Sequence, residues 1–432
     1  MNVCLKTLGC RLNEAELEYW AGDFQKAGHC VVDAADHADL IVINTCAVTN
    51  EATRKSRQLI RRSHRNNPRA KLVVSGCYGS LEAETVQNMA GIDLLVPNSR
   101  KDELVDLVHA ELEDVTMPAV ATEPAEPALF TRGRNRAFIK VQDGCRYRCT
   151  FCIVTVARGE EHSRPMADII DEINRLHAQG VQEAVLTGVH VGGYGSDTGS
   201  SLHELITAVL AETDIPRLRL GSVEPWDLGD EFFRLFANPR MMPHLHLPLQ
   251  SGSDTVLKRM ARRCRTADFR RLIATARGTV LGFNVTTDII VGFPGETEEE
   301  WRESLVFIED MGFSHIHIFS YSERPGTAAA AMPGPVDIET RKQRSRELHG
   351  LMRRMKRQFA EGHKGRDVEV LIETTTIDEA SGRYSSYGYT PNYLRVRIDG
   401  DDPLLFNRIC AVKTSGYDEE EESLIGIVRN EE

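Results

Sequence analysis

Residues 39–46 read DLIVINTC, a short apolar run that closes on Asn44, Thr45 and a cysteine. Such a run, without polar alternation, predicts a strand buried on both faces rather than one side of an exposed sheet. Its neighbours repeat the pattern. VCLKTLG (3–9) and KLVVSG (71–76) are strand-like, and the short IDLLVP (92–97) follows. Amphipathic helical stretches such as EAELEYWAGDFQKAG (14–28) separate them. Apolar strands alternating with helices predict a parallel sheet covered on both faces, here a small flavodoxin-like α/β domain over 1–115.

Cys10, Cys46 and Cys77 each follow directly on one of these strands, in TLGC, INTC and VSGC. Open α/β sheets bind ligands outside the carboxyl ends of their strands, so three cysteines so placed can converge. Each also precedes a helix, whose N-terminal partial charge favours a thiolate. On the residues alone, three unrelated buried cysteines remain the alternative. Cys4, Cys30, Cys264 and Cys410 have no such placement and read as packing thiols.

A second group lies in GCRYRCTFC (144–152), where Cys145, Cys149 and Cys152 are spaced C-x3-C-x2-C. Three thiolates are one ligand short of what a [4Fe–4S] cube or a tetrahedral zinc takes. A zinc knuckle completed by His162, or a disulfide with a spare thiol, also fits the spacing, although structural zinc sites favour paired C-x2-C hooks.

The 432 residues suffice for two to four domains, with 41% hydrophobic and 27% charged residues as in soluble globular proteins. No run approaches eighteen apolar residues, so no membrane span is predicted. MNVCLKTLGC lacks the apolar core and small-residue cleavage site of a secretory signal. Ten cysteines in such a chain point to metal, cluster or redox use rather than disulfides. The formal charge of −12 does not itself favour a nucleic-acid partner. Its distribution matters more: basic residues gather in EATRKSRQLIRRSHR (51–65), with Arg54 and Arg57 as candidate RNA contacts, and in LKRMARRCR (257–265), and for each run a solvated helix face is the alternative.

Residues 116–130 are Pro/Ala-rich and predict a linker. From 131 to 365 strands and helices alternate again: RAFIKVQDG, EAVLTGV, RLRLGSV, HLHLPL, NVTTDIIVGF and HIHIFSYS. Six βα units without a closing pair predict a partial (β/α)6 barrel with its active face at the strand C-termini. There Thr187 and Gly188, Gln250 and Ser251, and Gly292, Pro294 and Gly295 would meet a nucleotide-like ligand, glycines allowing close backbone approach. The last stretch, 366–432, has short strands and turn residues, hence a small all-β module.

This ordered set of strings, after C-x3-C-x2-C, resembles the radical-SAM methylthiotransferases over essentially the whole chain. The resemblance implies a [4Fe–4S] cluster on Cys145, Cys149 and Cys152 that binds and cleaves S-adenosylmethionine. It implies a second [4Fe–4S] cluster on Cys10, Cys46 and Cys77 that receives and passes on sulfur. It makes RGEEHSRP (158–165), with Arg158 and Arg164, a lining of the site, and the last module a TRAM-type domain. The implied partners are the anticodon loop of tRNA, an electron donor and a sulfur source, in the cytoplasm and with no membrane.

NTCAVT, RLRLGSVEP, YSERPGT and YTPNYLRV resemble the branch that modifies N6-threonylcarbamoyladenosine at position 37 of tRNA. The other branches act on isopentenyladenosine-37 or on an aspartate of a ribosomal protein. From outside the enzymes, the rival is an iron–sulfur RNA-binding protein or electron carrier, against which the GFPG and LPLQSGS strings count. The β module is acidic, with 15 Asp/Glu against 7 Lys/Arg, which suits a basic protein substrate better than RNA. Against that, Glu419 to Glu422 fall in one predicted loop that can point away from RNA. Arg383, Arg395 and Arg397, with Tyr384, Tyr387, Tyr389 and Tyr393, offer a cation-plus-stacking surface for single-stranded RNA.

Overall fold

A computed structural model of the chain describes residues 1–112, 135–377, 383–400 and 405–429. The predicted linker, 116–130, lies outside the described residues. The first sheet holds β1 (Asn2–Thr7), β2 (Cys30–Val31), β3 (Leu40–Thr45), β4 (Lys71–Gly76) and β5 (Leu94–Leu95). Its order is β2-β1-β3-β4-β5 with every pair parallel, the flavodoxin-like order expected.

The central strand β3 is buried at all six positions. Because side chains alternate along a strand, Leu40 and Val42 pack on one face with Trp20, Phe24 and Val108. Ile41 and Ile43 pack on the other with Ile60 and Tyr78. Each fully buried residue of this size contributes roughly 1.5–3 kcal/mol. This two-sided burial is why DLIVINTC shows no polar alternation.

The central region runs through β6 (Arg136–Lys140), β7 (Gln142–Asp143), β8 (His162–Ser163), β9 (Glu183–Thr187), β10 (Arg217–Leu220), β11 (His244–His246), β12 (Asn284–Val291) and β13 (His315–Ser320). Two parallel three-stranded sheets, β10-β9-β6 and β11-β12-β13, meet through the parallel bridges Leu218–Met241 and Ser222–His246. The result is a six-stranded arc, β6-β9-β10-β11-β12-β13, a partial barrel as predicted. The β7–β8 ribbon, which the periodicity did not show, ties down the two ends of the cysteine loop.

The last strands, β14 (Asp367–Ile377), β15 (Tyr384–Tyr389), β16 (Arg395–Gly400), β17 (Ile409–Asp418) and β18 (Ser423–Val428), close a small barrel in the order β14-β15-β16-β18-β17. This module is joined to the end of the arc opposite the cysteines. Arg217 and Arg219 donate to the carbonyls of Tyr389 (2.9 Å) and Pro391 (3.0 Å), and Asn284 to that of Asn392 (2.7 Å). The Arg136 and Arg219 guanidiniums lie over the Tyr393 ring at 5.1 and 4.7 Å, and Tyr389 stacks on Tyr393 at 4.8 Å.

Two of the four tyrosines proposed for RNA stacking are therefore committed to the barrel. Burying a polar-tipped ring against paired guanidiniums satisfies both. The acidic run is also absorbed locally: Glu419 pairs with Arg357, and Glu422 with Lys356, on the helix Ile338–Glu361.

Candidate active site

Cys10, Cys46, Cys77, Cys145, Cys149 and Cys152 all line one cavity of about 520 Å³. The first three arrive together because β1, β3 and β4 are neighbours in the sheet, Cys46 and Cys77 follow their strands directly, and Cys10 lies three residues beyond the end of β1. Gly9 makes the approach possible: at φ +121°, a Cβ there would stand 2.7 Å from Cys46 Cβ. Asn13 ties the strand ends together, donating to the carbonyls of Leu8 (2.8 Å) and Thr45 (3.3 Å) and accepting from the Cys10 thiol (3.4 Å). Ser56, on the basic helix Asn50–Asn66, accepts from the Cys46 N–H and donates to its carbonyl.

The core triad sits on a loop that Gly144 turns at φ +69°, where a Cβ would meet the Glu160 carbonyl oxygen at 1.8 Å. The Cys145 N–H donates to the Gly159 carbonyl (3.1 Å), closing the loop. Arg262 places Nη1 3.8 Å from the Cys149 sulfur, grips Glu224 at 2.6 and 3.1 Å, and lies 4.5 Å over Trp226. Burial pushes the Cys145 thiol up to about 12 and the Cys46 thiol up to about 11. Neighbouring sulfurs add to both shifts. Cys46 and Cys77 are buried, Cys145, Cys149 and Cys152 are half-buried, and Cys10 is exposed at the cavity, so burial disfavours the free thiolate most clearly at Cys46 and Cys145.

Such thiols become stable thiolates when a metal supplies the positive charge, so this donor set fits two three-thiolate [4Fe–4S] sites. His162 is exposed and absent from the cavity wall, so the zinc knuckle has no support here. All ten cysteines are free, which disposes of a disulfide.

Of the residues expected to hold S-adenosylmethionine, Thr187, Gly188 and Gln250 line the cavity. Gln250 holds a φ of +75°, strained for a side-chain-bearing residue, as functional positions often are. Ser251 instead meets Ser304 at 3.1 Å. Gly292, Pro294 and Gly295 also fall outside the wall. Their turn is folded on itself, with the Gly292 N–H on Glu296, Arg344 pairing with that carboxylate, and the Gly295 N–H on the Gly334 carbonyl.

The RNA candidates are scattered. Arg54 is exposed beside Glu51. Arg57 packs on Tyr78 and Glu82. Arg395 covers the Tyr387 ring, and Arg397 is held by Asp399, Asp418 and Glu421. Arg164 pairs with Glu172 and does not reach the wall.

Sequence reasoning missed Glu224 and Arg262, and also His246, Asp288 and His317, which line the same cavity. His246 Nε2 stands 3.1 Å from Asp288 Oδ1, and the three side chains are grouped closely enough to share one ligand. A similar grouping of Cys145, Glu161 and His190 flanks the core triad. The period-two strings HLH (244–246) and HIH (315–317) were a usable signal, since polar residues alternating along a barrel strand face the lumen.

Arg158 does line the wall, with its side chain buried. It donates Nη2 to Asn13 Oδ1 (2.8 Å) and Nη1 to Glu16 (2.7 Å) and Asp143 (3.1 Å). It joins the barrel half of the chain to the first domain.

Residues 2–97 match the model of an uncharacterised protein family, UPF0004, and residues 139–308 that of the radical SAM superfamily. The threonylcarbamoyladenosine tRNA methylthiotransferase MtaB of Bacillus subtilis is 36% identical over 99% of this chain and 97% of its own length. The chain belongs to the radical-SAM methylthiotransferase family. Its counterpart of the same name in Thermotoga maritima is 36% identical over 92% of each chain. A second kind of methylthiotransferase relative, the tRNA-2-methylthio-N(6)-dimethylallyladenosine synthase of Acetivibrio thermocellus, is 32% identical over 86% of this chain and 80% of its own. Among solved structures, the radical S-adenosylmethionine methyltransferase TsrM of Kitasatospora setae superposes with a TM-score of 0.57 at 18% identity, covering 76% of this chain and 77% of its own, a likeness of fold. As a methylthiotransferase the protein is an enzyme, and no helix among its described residues is long and apolar enough to cross a membrane.

Proposed function

We propose that this methylthiotransferase adds a 2-methylthio group to N6-threonylcarbamoyladenosine at position 37 of tRNA. The observation that carries the reading is the convergence of all six motif cysteines on one cavity. The choice of nucleoside rests on the 36% relatives, whose names specify threonylcarbamoyladenosine. On this reading the chain divides into a sulfur-delivering unit (1–115), a radical-SAM core (131–365) and a β module (366–432). An electron donor and a sulfur source are required partners, and the cytoplasm, where tRNA resides, is the place of action.

C2 of adenine carries an unactivated C–H, which acid–base groups alone cannot functionalise, so the reaction needs radical chemistry. When bound, the clusters supply an electron to S-adenosylmethionine at the core triad and a place for the sulfur at the N-terminal triad. Cys145, Cys149 and Cys152 would hold the first, and Cys10, Cys46 and Cys77 the second.

The rest of the work falls to the protein's own side chains. Phe138, Phe151, Val185, Leu220 and Pro248 make much of the wall apolar, which excludes water from a reactive site. Thr187, Gly188 and Gln250, at the strand ends, orient S-adenosylmethionine. His246, Asp288 and His317 orient polar groups of the nucleoside, which must leave its stack to enter. Placing the base between two facing triads is a proximity effect.

Mass spectrometry of tRNA nucleosides from a deletion strain tests the proposal. Loss of 2-methylthio-threonylcarbamoyladenosine, restored by the intact gene, is the expected result. Loss of the isopentenyl-derived product, or of a ribosomal-protein modification, would reassign the substrate.

A further inference from the structure

The helix Val154–Arg158 starts at one triad and ends at the other. At its start the Val154 N–H donates to the Cys152 sulfur at 3.4 Å. Near its end the Ala157 carbonyl accepts from Asn98 Nδ2 at 2.7 Å, and that nitrogen lies 3.8 Å from the Cys77 sulfur. Arg158, its last residue, donates to the same Asn13 oxygen that accepts from the Cys10 thiol. Five helical residues rise only about 7 Å. One short element therefore contacts the core triad directly and the N-terminal triad through Asn98 and Asn13.

The charges around Arg158 do not balance within the interior. Glu16 and Asp143 are shared by Arg158, Lys101 and Lys140, with Lys101 at 2.6 Å from Glu16 and Lys140 at 3.1 Å from Asp143. Asp102 also approaches Lys140, at 3.3 Å, but its side chain is 77% exposed and screened by water. Three buried cations face two buried carboxylates, and an uncompensated buried charge is costly. The surplus sits beside the N-terminal triad, since Arg158 shares the Asn13 oxygen with Cys10 and the neighbouring Ala157 carbonyl shares Asn98 with Cys77. A three-thiolate iron–sulfur site is a net anion and supplies the missing counter-charge.

We propose that Arg158 is a positioning residue for the N-terminal cluster site. It holds Asn13, whose amide ties the Leu8 and Thr45 carbonyls beside Cys10 and Cys46, and gives that site a buried positive charge that raises the cluster's reduction potential. The N-terminal site is then completed by a residue of the radical-SAM core. A nearby positive charge favours the reduced, more negative state of a cluster and raises its potential. The inference rests on the cluster reading proposed above.

The test uses the full chain with Cys145, Cys149 and Cys152 changed to Ala, so that only the N-terminal site can hold a cluster. EPR is followed through a dithionite titration. In that parent, Arg158→Gln is expected to move the midpoint to more negative potential. The reduced-to-oxidised ratio at the parent's midpoint should fall about tenfold, equivalent to about 59 mV for one electron. Arg158→Lys should return most of the shift. Lys101 and Lys140 still pair with Glu16 and Asp143 in these variants, so the fold keeps the cations it needs.

An unchanged midpoint and an unchanged EPR signal in Arg158→Gln would overturn the inference. If that variant does not accumulate, Asn13→Ala carries the test through the rate at which a chelator strips iron from the N-terminal site. Faster release supports the role, and the parent's rate refutes it. A parent with no [4Fe–4S] signal at all would instead sink the cluster reading itself.

Discussion

Arg262 stands with a terminal nitrogen 3.8 Å from the sulfur of Cys149. The same guanidinium grips Glu224 and donates to the Pro248 carbonyl, so the middle cysteine of the core triad is held by a buried fork. Arg262→Met removes the fork and leaves Glu224 without its cation. We expect a loss of about 3 kcal/mol, since breaking a buried pair costs this much or more. Arg262→Lys should recover only part of it, because an ammonium cannot reproduce the bidentate geometry. Denaturant melts of the three proteins check the order.

Gly144→Ala should disable the core triad. The left-handed φ already disfavours a side chain, and the new methyl would enter the Glu160 carbonyl. The loop has to open to accommodate it, at a cost on the order of 3 kcal/mol. The expected outcome is a folded first domain, with about half the iron of wild type after reconstitution. Iron assay against protein concentration reads this directly, and full iron content would contradict it.

Glu183 lies fully buried between Arg136 at 2.8 Å and Arg219 at 2.7 Å. Burial works to raise its pKa, but the two guanidiniums outweigh it and bring the carboxyl from 4.5 to about 2. Because the folded value is the lower one, its stabilisation is present above pH 4.5. It is lost as the pH falls from 4.5 towards 2. Glu183→Gln should therefore cost up to about 3 kcal/mol at pH 7 and almost nothing near pH 2. A penalty equal at both pH values would mean that the carboxylate's charge is not what matters.

The two triads should fail differently. Cys145→Ala is expected to abolish formation of 5′-deoxyadenosine from S-adenosylmethionine. Cys46→Ala should leave that cleavage measurable while methylthio product falls at least about a hundredfold, since a shared ligand set fails as a unit. Chromatography of both products from one reaction separates them. Wild-type product from Cys46→Ala would dismiss the two-site scheme.

Arg54 is the cleaner probe of RNA on the basic helix. It is exposed, whereas Arg57 is engaged by Tyr78 and Glu82 and its loss would disturb packing. Arg54→Glu should weaken tRNA binding and reduce the slope of log affinity against log salt by about 1. Binding isotherms at several KCl concentrations supply the slope. An unaltered slope returns Arg54 to a solvated face.

Much of the architecture was legible because it is written in local pattern. DLIVINTC and its neighbours announce two-sided burial, and cysteines directly after strands announce the end of the sheet at which a ligand binds. What stayed hidden depends on partners distant in the chain. Arg262, inside LKRMARRCR, reads as one more surface cation until Glu224 and Trp226 enclose it. Tyr389 and Tyr393 read as an RNA platform because their cover, Arg136 and Arg219, lies far away in sequence. The GFPG turn reads as a ligand loop, but its glycines also serve a strand-to-helix turn closed by Glu296 and Arg344.

Glu16 is made early in synthesis and is buried, yet its partner Arg158 follows 142 residues later. At about 5–20 residues per second, a nascent first domain waits roughly 7–28 s for that guanidinium. During this interval the ribosome presents a flavodoxin-like sheet with its cysteines in place but one wall of their chamber missing. Iron delivered then would meet an open, wet site. The first three cysteines are thus made well before the residue that closes one side of their chamber.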